Sequence, residues 1–228
     1  MCYSQENSQL FATQVDDYKV SYWRDDEEEL VNRYFVDRDA RLLVLGCGAG
    51  RTLPHLHKKG YKIEAIDVVP EMVEAARQAV QGAAVKINVM DAANLDYDDN
   101  SFKYVFFPFH GIDYVSPDIY ASVREVKRVL TKDGVFVFNS HNRLFIKRLH
   151  QVFSGSRANY RGLLTYRTSP LDYWLLKKHF HVVHVCQRIS LLKSEHANWK
   201  DCIYKLLPWL NKSTYFVCIK PRNHAADK

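Results

Sequence analysis

The spacing of apolar residues along the chain changes abruptly near residue 41. Before that point, acidic and polar residues alternate with scattered aromatics, which predicts one or two helices packed outside a central sheet. From Leu42 to Leu45 the residues are all apolar, and this run ends at Gly46. A continuous apolar run of this length is typical of a strand that is buried on both faces of a parallel sheet.

Strand-like and helix-like segments then alternate along the chain, as they do in doubly wound α/β proteins. Pro70 suits the first turn of a helix, because the N–H that proline lacks has no partner there. Gly60 and Gly82 follow the predicted helices as C-terminal caps. The predicted strands are 62–68, 84–89, 102–107 and 134–139, and the predicted helices begin near Leu53, Pro70 and Ile119.

The C-terminal part follows this alternation less closely. A helix is predicted over 144–153, residues 154–168 indicate an insertion or loop, and a further helix begins at Ser169-Pro170, where serine caps and proline takes the first position. The β-rich segments 182–189 and 214–219 lack between them the helix that joins parallel strands. We therefore predict an antiparallel pair of strands at one edge of the sheet.

These patterns predict a single folded unit. The chain has 228 residues, of which 47% are apolar, as expected for a globular protein. We divide it into a helical N-terminal extension that serves as a lid (1–37), a main domain (38–222) with an insertion at 154–168, and a short tail (223–228).

Composition narrows the class of protein. The five cysteines are widely spaced and form no C-x-x-C pair, which favours free thiols in a cytoplasmic protein and indicates no disulfide framework and no zinc site. We find no apolar stretch of about 20 residues that would span a membrane. No basic-then-apolar leader is present either, so a secretory signal is not expected. The net charge of +6 permits an acidic partner without indicating one.

The segment Gly46–Gly50, with the sequence Gly-Cys-Gly-Ala-Gly, carries the first candidate chemistry. It joins a predicted strand to a predicted helix, and open α/β sheets bind ligands at such junctions. Asp67 closes the next predicted strand about 20 residues later, where an acidic side chain accepts hydrogen bonds from ribose hydroxyls. The pattern predicts a nucleoside-containing cofactor.

A dinucleotide is disfavoured by the spacing of the glycines. The dinucleotide fingerprint G-x-G-x-x-G places its third glycine at position 51, which is Arg51 here, whereas the glycine of this chain comes one place earlier at Gly50. The antiparallel C-terminal pair also differs from the parallel continuation of a dinucleotide fold. A nicotinamide-dependent oxidoreductase is therefore an alternative that the sequence disfavours.

Taken in order, several motifs resemble those of class I S-adenosyl-L-methionine-dependent methyltransferases. Residues 44–51 resemble the first motif of that family, and Asp67 ends the second strand. Met90-Asp91-Ala92 resembles the site beside the adenine, and 102–107 resembles the fourth-strand motif. Residues 124–134 resemble the helix and turn before the fifth strand, although this turn ends Lys-Asp-Gly where the family usually has a Pro-Gly-Gly-like sequence.

The resemblance covers roughly residues 40–140 and implies both a fold and a cofactor. The implied fold is a doubly wound, mostly parallel seven-stranded sheet with an antiparallel edge strand. The implied cofactor is S-adenosyl-L-methionine. The implied cofactor-binding residues are Gly46, Cys47, Gly48, Gly50, Asp67, Val68, Asp91, Ala92 and Phe107.

Two polar segments at the ends of strands four and five supply candidate catalytic residues. Residues 108–114 resemble a loop of many small-molecule methyltransferases, with His110 in place of asparagine. Histidine titrates near neutral pH, so we predict His110 as a general base and His141 as the reserve, with Asp113 beside the acceptor. The alternative interpretation is that His110 only bonds to its own loop and that Asp113 caps the next helix.

The acceptor is predicted from motifs that the chain lacks. The Asn/Asp-Pro-Pro-Tyr motif of nucleic-acid amine methyltransferases is not found after strand four, and the cysteine pair of pyrimidine-C5 enzymes is not recognisable. This favours transfer of a methyl group to an O or N acceptor on a small molecule and leaves nucleic-acid and protein acceptors open. Tyr18, Tyr22, Trp23 and Tyr114 are predicted to line the lid. A catalytically silent relative that acts through a partner protein is the remaining alternative.

Overall fold

The computed structural model describes most of the chain. Of the predicted features, the helix over 144–153, the start of the helix at Ser169-Pro170 and the tail 223–228 lie outside the described residues. Within the described part, Trp174 and Leu176 are helical. The described ranges are 3–20, 22–115, 119–141, 158–160, 163–165, 174, 176–186 and 213–222, without the side chains of 3–6, 158–160, 163–165, 183–186 and 213.

Strands and helices alternate through the central part of the chain. The strands are β1 (Arg41–Leu45), β2 (Lys62–Asp67), β3 (Lys86–Val89), β4 (Phe102–Phe107), β5 (Leu130–His141), β6 (Ala158–Tyr160), β7 (Leu163–Thr165), β8 (His181–Cys186) and β9 (Ser213–Ile219). The helices are α1 (Tyr3–Ala12), α2 (Val15–Tyr18), α3 (Asp25–Tyr34), α4 (Leu53–Lys58), α5 (Pro70–Ala79) and α6 (Ile119–Val129), with a short 3₁₀ helix at Gly111–Tyr114.

Seven of these strands form one sheet in the order β3-β2-β1-β4-β5-β9-β8. The first five pair in parallel. β9 runs antiparallel to both β5 and β8, so the pair at this edge is antiparallel, as the sequence predicts. The predicted fold class, a doubly wound and mostly parallel seven-stranded sheet, is confirmed.

The apolar run of β1 is explained by helices on both faces of the sheet. Leu42 and Val44 pack into one buried cluster together with α3, α4 and α5, and Leu43 and Leu45 pack into a second cluster with α6. Since successive side chains of a strand point to opposite faces, a strand covered on both faces is apolar throughout. No helix in the described ranges is long and apolar enough to cross a membrane.

The N-terminal helices close over one end of this core. Phe11, Val15 and Tyr18 pack against a third, smaller cluster that includes Ala49 and Met72. This cluster joins α1 and α2 to the glycine loop and to α5. The N-terminal extension is therefore held near the carboxyl ends of the parallel strands, where its side chains reach the site described below.

Three segments differ from the sequence predictions. Residues 1–37 contain three helices, α1, α2 and α3, where one or two are predicted. β5 begins at Leu130 and ends at His141, whereas only 134–139 is predicted as a strand. The additional residues at its end pair with β9, for example Ser140 with Thr214. The segment from Ser140 is therefore strand and not loop up to His141. Within the predicted insertion, β6 and β7 form a separate antiparallel pair, which is too short to leave a recognisable period in the sequence.

Candidate active site

A cavity of about 610 Å³ opens at the carboxyl ends of the parallel strands. Its volume lies in the range of small-molecule sites, roughly 300–1,000 Å³. Three predicted site residues, Gly50, Asp113 and Trp23, are not among the described residues of its wall. Those that line it are Tyr18, Tyr22, Gly46, Cys47, Gly48, Asp67, Val68, Asp91, Ala92, Phe107, His110, Tyr114 and His141.

The glycines of the loop after β1 have different surroundings. Gly48 has a φ of 54°, lines the cavity, and a Cβ added there would meet no atom within 4 Å. Gly50 has a φ of 88°, and a Cβ there would lie 3.0 Å from the Cα of Ala76 in α5. Gly48 thus leaves bare backbone facing the cavity, whereas Gly50 allows the loop and α5 to pack closely. Both conformations favour glycine.

Asp67 holds this loop from the end of the neighbouring strand. Its Oδ2 accepts a hydrogen bond from the Gly48 N–H at 2.8 Å, and its Oδ1 accepts one from the Val69 N–H at 3.0 Å. Burial raises the pKa of the Asp67 carboxyl, and the two amide donors act in the opposite direction. The carboxylate therefore fixes the shape of the loop and contributes a partly buried acidic group to the cavity wall.

The wall between Asp67 and Asp91 is largely apolar. Ile66, Val68 and Ala92 line it, and Asp91 caps its own turn by accepting a hydrogen bond from the Ala93 N–H at 2.8 Å. Bare loop backbone, two carboxyl groups and an apolar strip between them suit a ligand that combines a flat heterocycle, hydroxyl groups and a positive charge. The residues present therefore fit S-adenosylmethionine.

A buried carboxylate organises the other end of the cavity. Asp113 is fully buried. Its Oδ2 accepts hydrogen bonds from the Nδ1 of His141 at 2.7 Å and from the backbone N–H of His141 at 2.9 Å, and its Oδ1 accepts one from the Ser140 hydroxyl. Burial raises the pKa of the Asp113 carboxyl, while the bonds from His141 and Ser140 oppose that shift. Asp113 does not line the cavity but positions His141, which does.

The hydrogen bond to Asp113 also determines which ring nitrogen of His141 is basic. Because the carboxylate accepts from Nδ1, a neutral His141 carries its proton on Nδ1 and its lone pair on Nε2. A carboxylate that orients a histidine in this way is the arrangement used in acyl-transfer triads. His141 therefore has the tautomer that a general base at the cavity wall requires.

His110 is held differently. Its backbone N–H donates to the Oδ1 of Asn139 at 2.9 Å, which leaves the Nδ2 of Asn139 facing the Nε2 of His110 at 3.2 Å. Since Asn139 Nδ2 is a donor, Nε2 of His110 accepts, and a neutral His110 carries its proton on Nδ1. The His110 and His141 rings stack with centroids 3.9 Å apart.

Two buried residues that the sequence analysis did not select complete the site. Asn139 orients His110. The sequence feature that could have indicated Asn139 is that it is a polar residue directly after the apolar residues of β5. Glu27 is fully buried and forms a two-point ion pair with Arg51, with N–O distances of 2.8 and 2.7 Å. A glutamate within an acidic run resembles a solvated helix face, so the sequence carries no signal for the burial of Glu27.

Arg51 connects three segments around the cavity. Its guanidinium lies over the ring of Tyr22 at 5.1 Å and over the ring of Phe109 at 4.9 Å. Its Nη1 also donates to the backbone carbonyl of Tyr22 at 3.1 Å. Arg51, which stands where the dinucleotide fingerprint has its third glycine, thus connects the N-terminal extension and the loop after β4 to the glycine loop. Trp23, which is predicted to line the lid, is not among the described wall residues, and its ring lies edge-on to that of His55 with centroids 5.1 Å apart.

Comparison with known proteins finds similarity to methyltransferases. The strand order and the glycine loop define a class I methyltransferase fold. A family model described as "Methyltransferase domain" matches residues 42–134. An uncharacterized protein of Methanocaldococcus jannaschii is 30% identical over 130 residues, which cover 57% of this chain and 48% of the relative. The chain spans about half the length of the curated relatives it matches.

Solved structures share the fold over nearly the whole chain. A chain of the complex between the Haloferax volcanii Trm112 methyltransferase activator and a protein assigned as a methyltransferase is 18% identical, with a TM-score of 0.70 and coverage of 96% of this chain and 99% of that one. Phosphoethanolamine N-methyltransferase 2 of Haemonchus contortus, solved with S-adenosylhomocysteine, is 18% identical, with a TM-score of 0.67 and coverage of 96% and 59%.

Proposed function

We propose that this protein is an S-adenosylmethionine-dependent methyltransferase that acts on an O or N acceptor of a small molecule. The observation that carries the proposal is one continuous cavity. It joins Gly48 and Asp67 at one end to His141 at the other, and Asp113 positions His141. When bound, S-adenosylmethionine supplies a methyl group on a positively charged sulfur. The family match and the Haemonchus contortus neighbour solved with S-adenosylhomocysteine support this cofactor.

The cofactor would be held by residues of the β1, β2 and β3 ends. The bare backbone at Gly48 leaves room for the ligand to approach the loop, and Asp67 supplies acceptor oxygens for ribose hydroxyls. Asp91 and Ala92 flank the apolar strip that suits the adenine. Gly50 packs against α5 and so supports the loop, but it is not among the described residues of the cavity wall.

His141 is the better candidate for the general base, which reverses the ranking that the sequence predicts. Asp113 holds the lone pair of His141 on Nε2, whereas the Nε2 lone pair of His110 already faces the Asn139 amide. A base is needed for an O–H acceptor, which loses its proton during transfer, and for a protonated amine, which must lose a proton before its nitrogen can attack. His110 stacks on His141 and restricts the orientation of its ring.

Calorimetry tests the cofactor assignment directly. We expect S-adenosylhomocysteine to bind the intact chain more tightly than NADH, because the glycine spacing and the strand order disfavour a dinucleotide. Tighter binding of NADH would contradict the proposal and favour an oxidoreductase. Binding of S-adenosylhomocysteine without methyl transfer to any O or N acceptor would favour the silent, partner-dependent alternative. One structural neighbour is bound to the activator Trm112, so the transfer assay is repeated with an added activator.

A further inference from the structure

The cavity wall carries aromatic side chains from three parts of the chain. Phe11 and Tyr18 come from the N-terminal helices, Phe109 follows β4, and Tyr114 lies in the 3₁₀ helix. The ring of Phe11 meets those of Tyr18 and Tyr114 edge-on, with centroids 5.8 and 5.4 Å apart. The ring of Phe109 lies 6.2 Å from that of His110, which stacks on His141.

An unusual turn places one of these rings. Phe109 and His110 have φ values of 56° and 63°, a left-handed conformation that is unfavourable for residues with a Cβ. The turn is held by the bond from the His110 N–H to Asn139. It is followed by Gly111, where a Cβ would lie 2.3 Å from the Phe107 ring. Phe109 remains 39% exposed on the cavity wall, as a ring surface held in place at the cost of backbone strain.

The positive charges on the described wall are already compensated. Arg24 makes two bonds of 3.1 Å to Asp26, and Arg51 is paired with the buried Glu27. These ion pairs leave little attraction for a phosphate or carboxylate on the acceptor. The Arg51 guanidinium also lies over the rings of Phe109 and Tyr22, so each of these rings already has a cation over one of its faces.

We infer that the methyl acceptor is a neutral aromatic hydroxyl compound, that is, a phenol, whose ring packs against Phe109 and whose hydroxyl faces His141. This inference rests on the proposed function. The phenolic O–H bond breaks and its proton passes to Nε2 of His141. The oxygen lone pair forms the new O–CH₃ bond, and the electron pair of the broken S–CH₃ bond stays on sulfur. The products are an aryl methyl ether and S-adenosylhomocysteine.

Four probes of similar size test the acceptor class. The intact protein is saturated with S-adenosylhomocysteine and titrated with 2-naphthol, 2-naphthyl phosphate, 2-naphthylmethylamine and decahydro-2-naphthol. We expect 2-naphthol to bind most tightly, since it alone combines the ring with an uncharged acidic hydroxyl. With S-adenosylmethionine it should be converted to 2-methoxynaphthalene. His141→Ala should slow this conversion by about 10²–10⁴-fold and leave 2-naphthol binding intact.

Two variants test whether the ring of the acceptor packs against Phe109. Phe109→Leu should weaken 2-naphthol binding about 2- to 12-fold, the loss expected for one aromatic contact, and leave S-adenosylhomocysteine affinity unchanged. Trp174→Leu, at an exposed aromatic that is not among the described wall residues, should change neither. If Phe109→Leu does not fold, the ranking of the four probe affinities in the unmodified protein tests the phenol assignment.

Each outcome bears on one assignment. Tighter binding of the phosphate, the amine or the saturated alcohol than of 2-naphthol would overturn the phenol assignment. Failure of 2-naphthol to bind the saturated protein, or binding without formation of the methyl ether, would also overturn it. Failure of S-adenosylhomocysteine itself to bind would overturn the proposed function instead, and this is measured before any probe is added.

Discussion

The two ends of the cavity are each organised by a carboxylate, but with different partners. Asp67 accepts hydrogen bonds from backbone amides of the glycine loop and of its own turn, whereas Asp113 accepts from the side chains of His141 and Ser140. Burial raises the pKa of both carboxyls. The first carboxylate shapes a loop, and the second sets the tautomer of a histidine.

This difference shows which end depends on distant parts of the chain. The cofactor end is built where β1 and β2 end side by side, and its donors belong to the backbone. The acceptor end, around His110 and His141, needs β4 and β5 to be adjacent so that Asp113 meets His141. Of the four predictions that follow, three probe one end without the other and one probes the ion pair that links them.

The largest effect is expected at the acceptor end. His141→Ala should reduce kcat by about 10²–10⁴-fold, the usual contribution of a general base, and leave S-adenosylhomocysteine affinity unchanged. His110→Ala is the matched comparison and should cost less, because its Nε2 lone pair faces Asn139. The check is steady-state methyl transfer together with calorimetry. An equal or greater loss for His110→Ala would restore His110 as the base.

The ion pair between Arg51 and Glu27, which links the two ends, should have the next largest effect, and this effect is on the stability of the fold. Arg51→Met leaves Glu27 charged and uncompensated in the interior, which should lower the free energy of unfolding by about 3–5 kcal/mol. Arg41→Met is the control: it breaks a pair with Glu64 in which the arginine side chain is 46% exposed, and it should cost at most about 1 kcal/mol. Urea unfolding measures both.

A double variant separates the ion pair from simple loss of packing. Glu27→Gln combined with Arg51→Met removes both charges, so most of the stability lost in Arg51→Met should return. A double variant that is no more stable than Arg51→Met would show that the packing of Arg51 against Tyr22 and Phe109 matters more than its charge.

At the cofactor end, Asp67→Ala should weaken S-adenosylhomocysteine binding by about 1–3 kcal/mol, because a charged acceptor of hydrogen bonds is lost. Asp98→Ala, at an exposed carboxylate outside the described cavity wall, is the control and should leave affinity unchanged. Calorimetry on folded protein measures the difference. Unchanged affinity in Asp67→Ala would place the ribose elsewhere.

The smallest effects should distinguish the two loop glycines. Alanine at either position adopts a left-handed conformation at a cost of about 1–2 kcal/mol. Gly50→Ala also pushes a Cβ against α5 and should lose more stability, whereas Gly48→Ala places its Cβ in the open cavity and should lose more S-adenosylhomocysteine affinity. Thermal melts and calorimetry on both variants test this, and equal losses in both measurements would contradict distinct roles.

Local sequence was enough to predict that the glycine loop and Asp67 lie together, and their role in cofactor binding stays a prediction. The strand–turn–helix at Gly46–Gly50 and the acidic residue that ends β2 lie next to each other because adjacent parallel strands end at the same edge of a sheet. The apolar run of β1 likewise predicts a strand covered on both faces, and its alternate side chains do enter two different core clusters. In these regions short-range patterns and the final contacts agree.

Only the tertiary structure decided the arrangement of the acceptor end. His110, Asp113 and His141 were all selected from the sequence, but their order of importance depends on which ring nitrogen faces Asn139 and which faces Asp113. The pairing of β9 with the end of β5 turns a predicted loop into strand and places His141 beside Asp113. The burial of Glu27 against Arg51 likewise joins residues that are far apart in sequence. Hydrogen-bond direction and burial are properties of packed side chains, and the hydrophobic pattern of a chain does not encode them residue by residue.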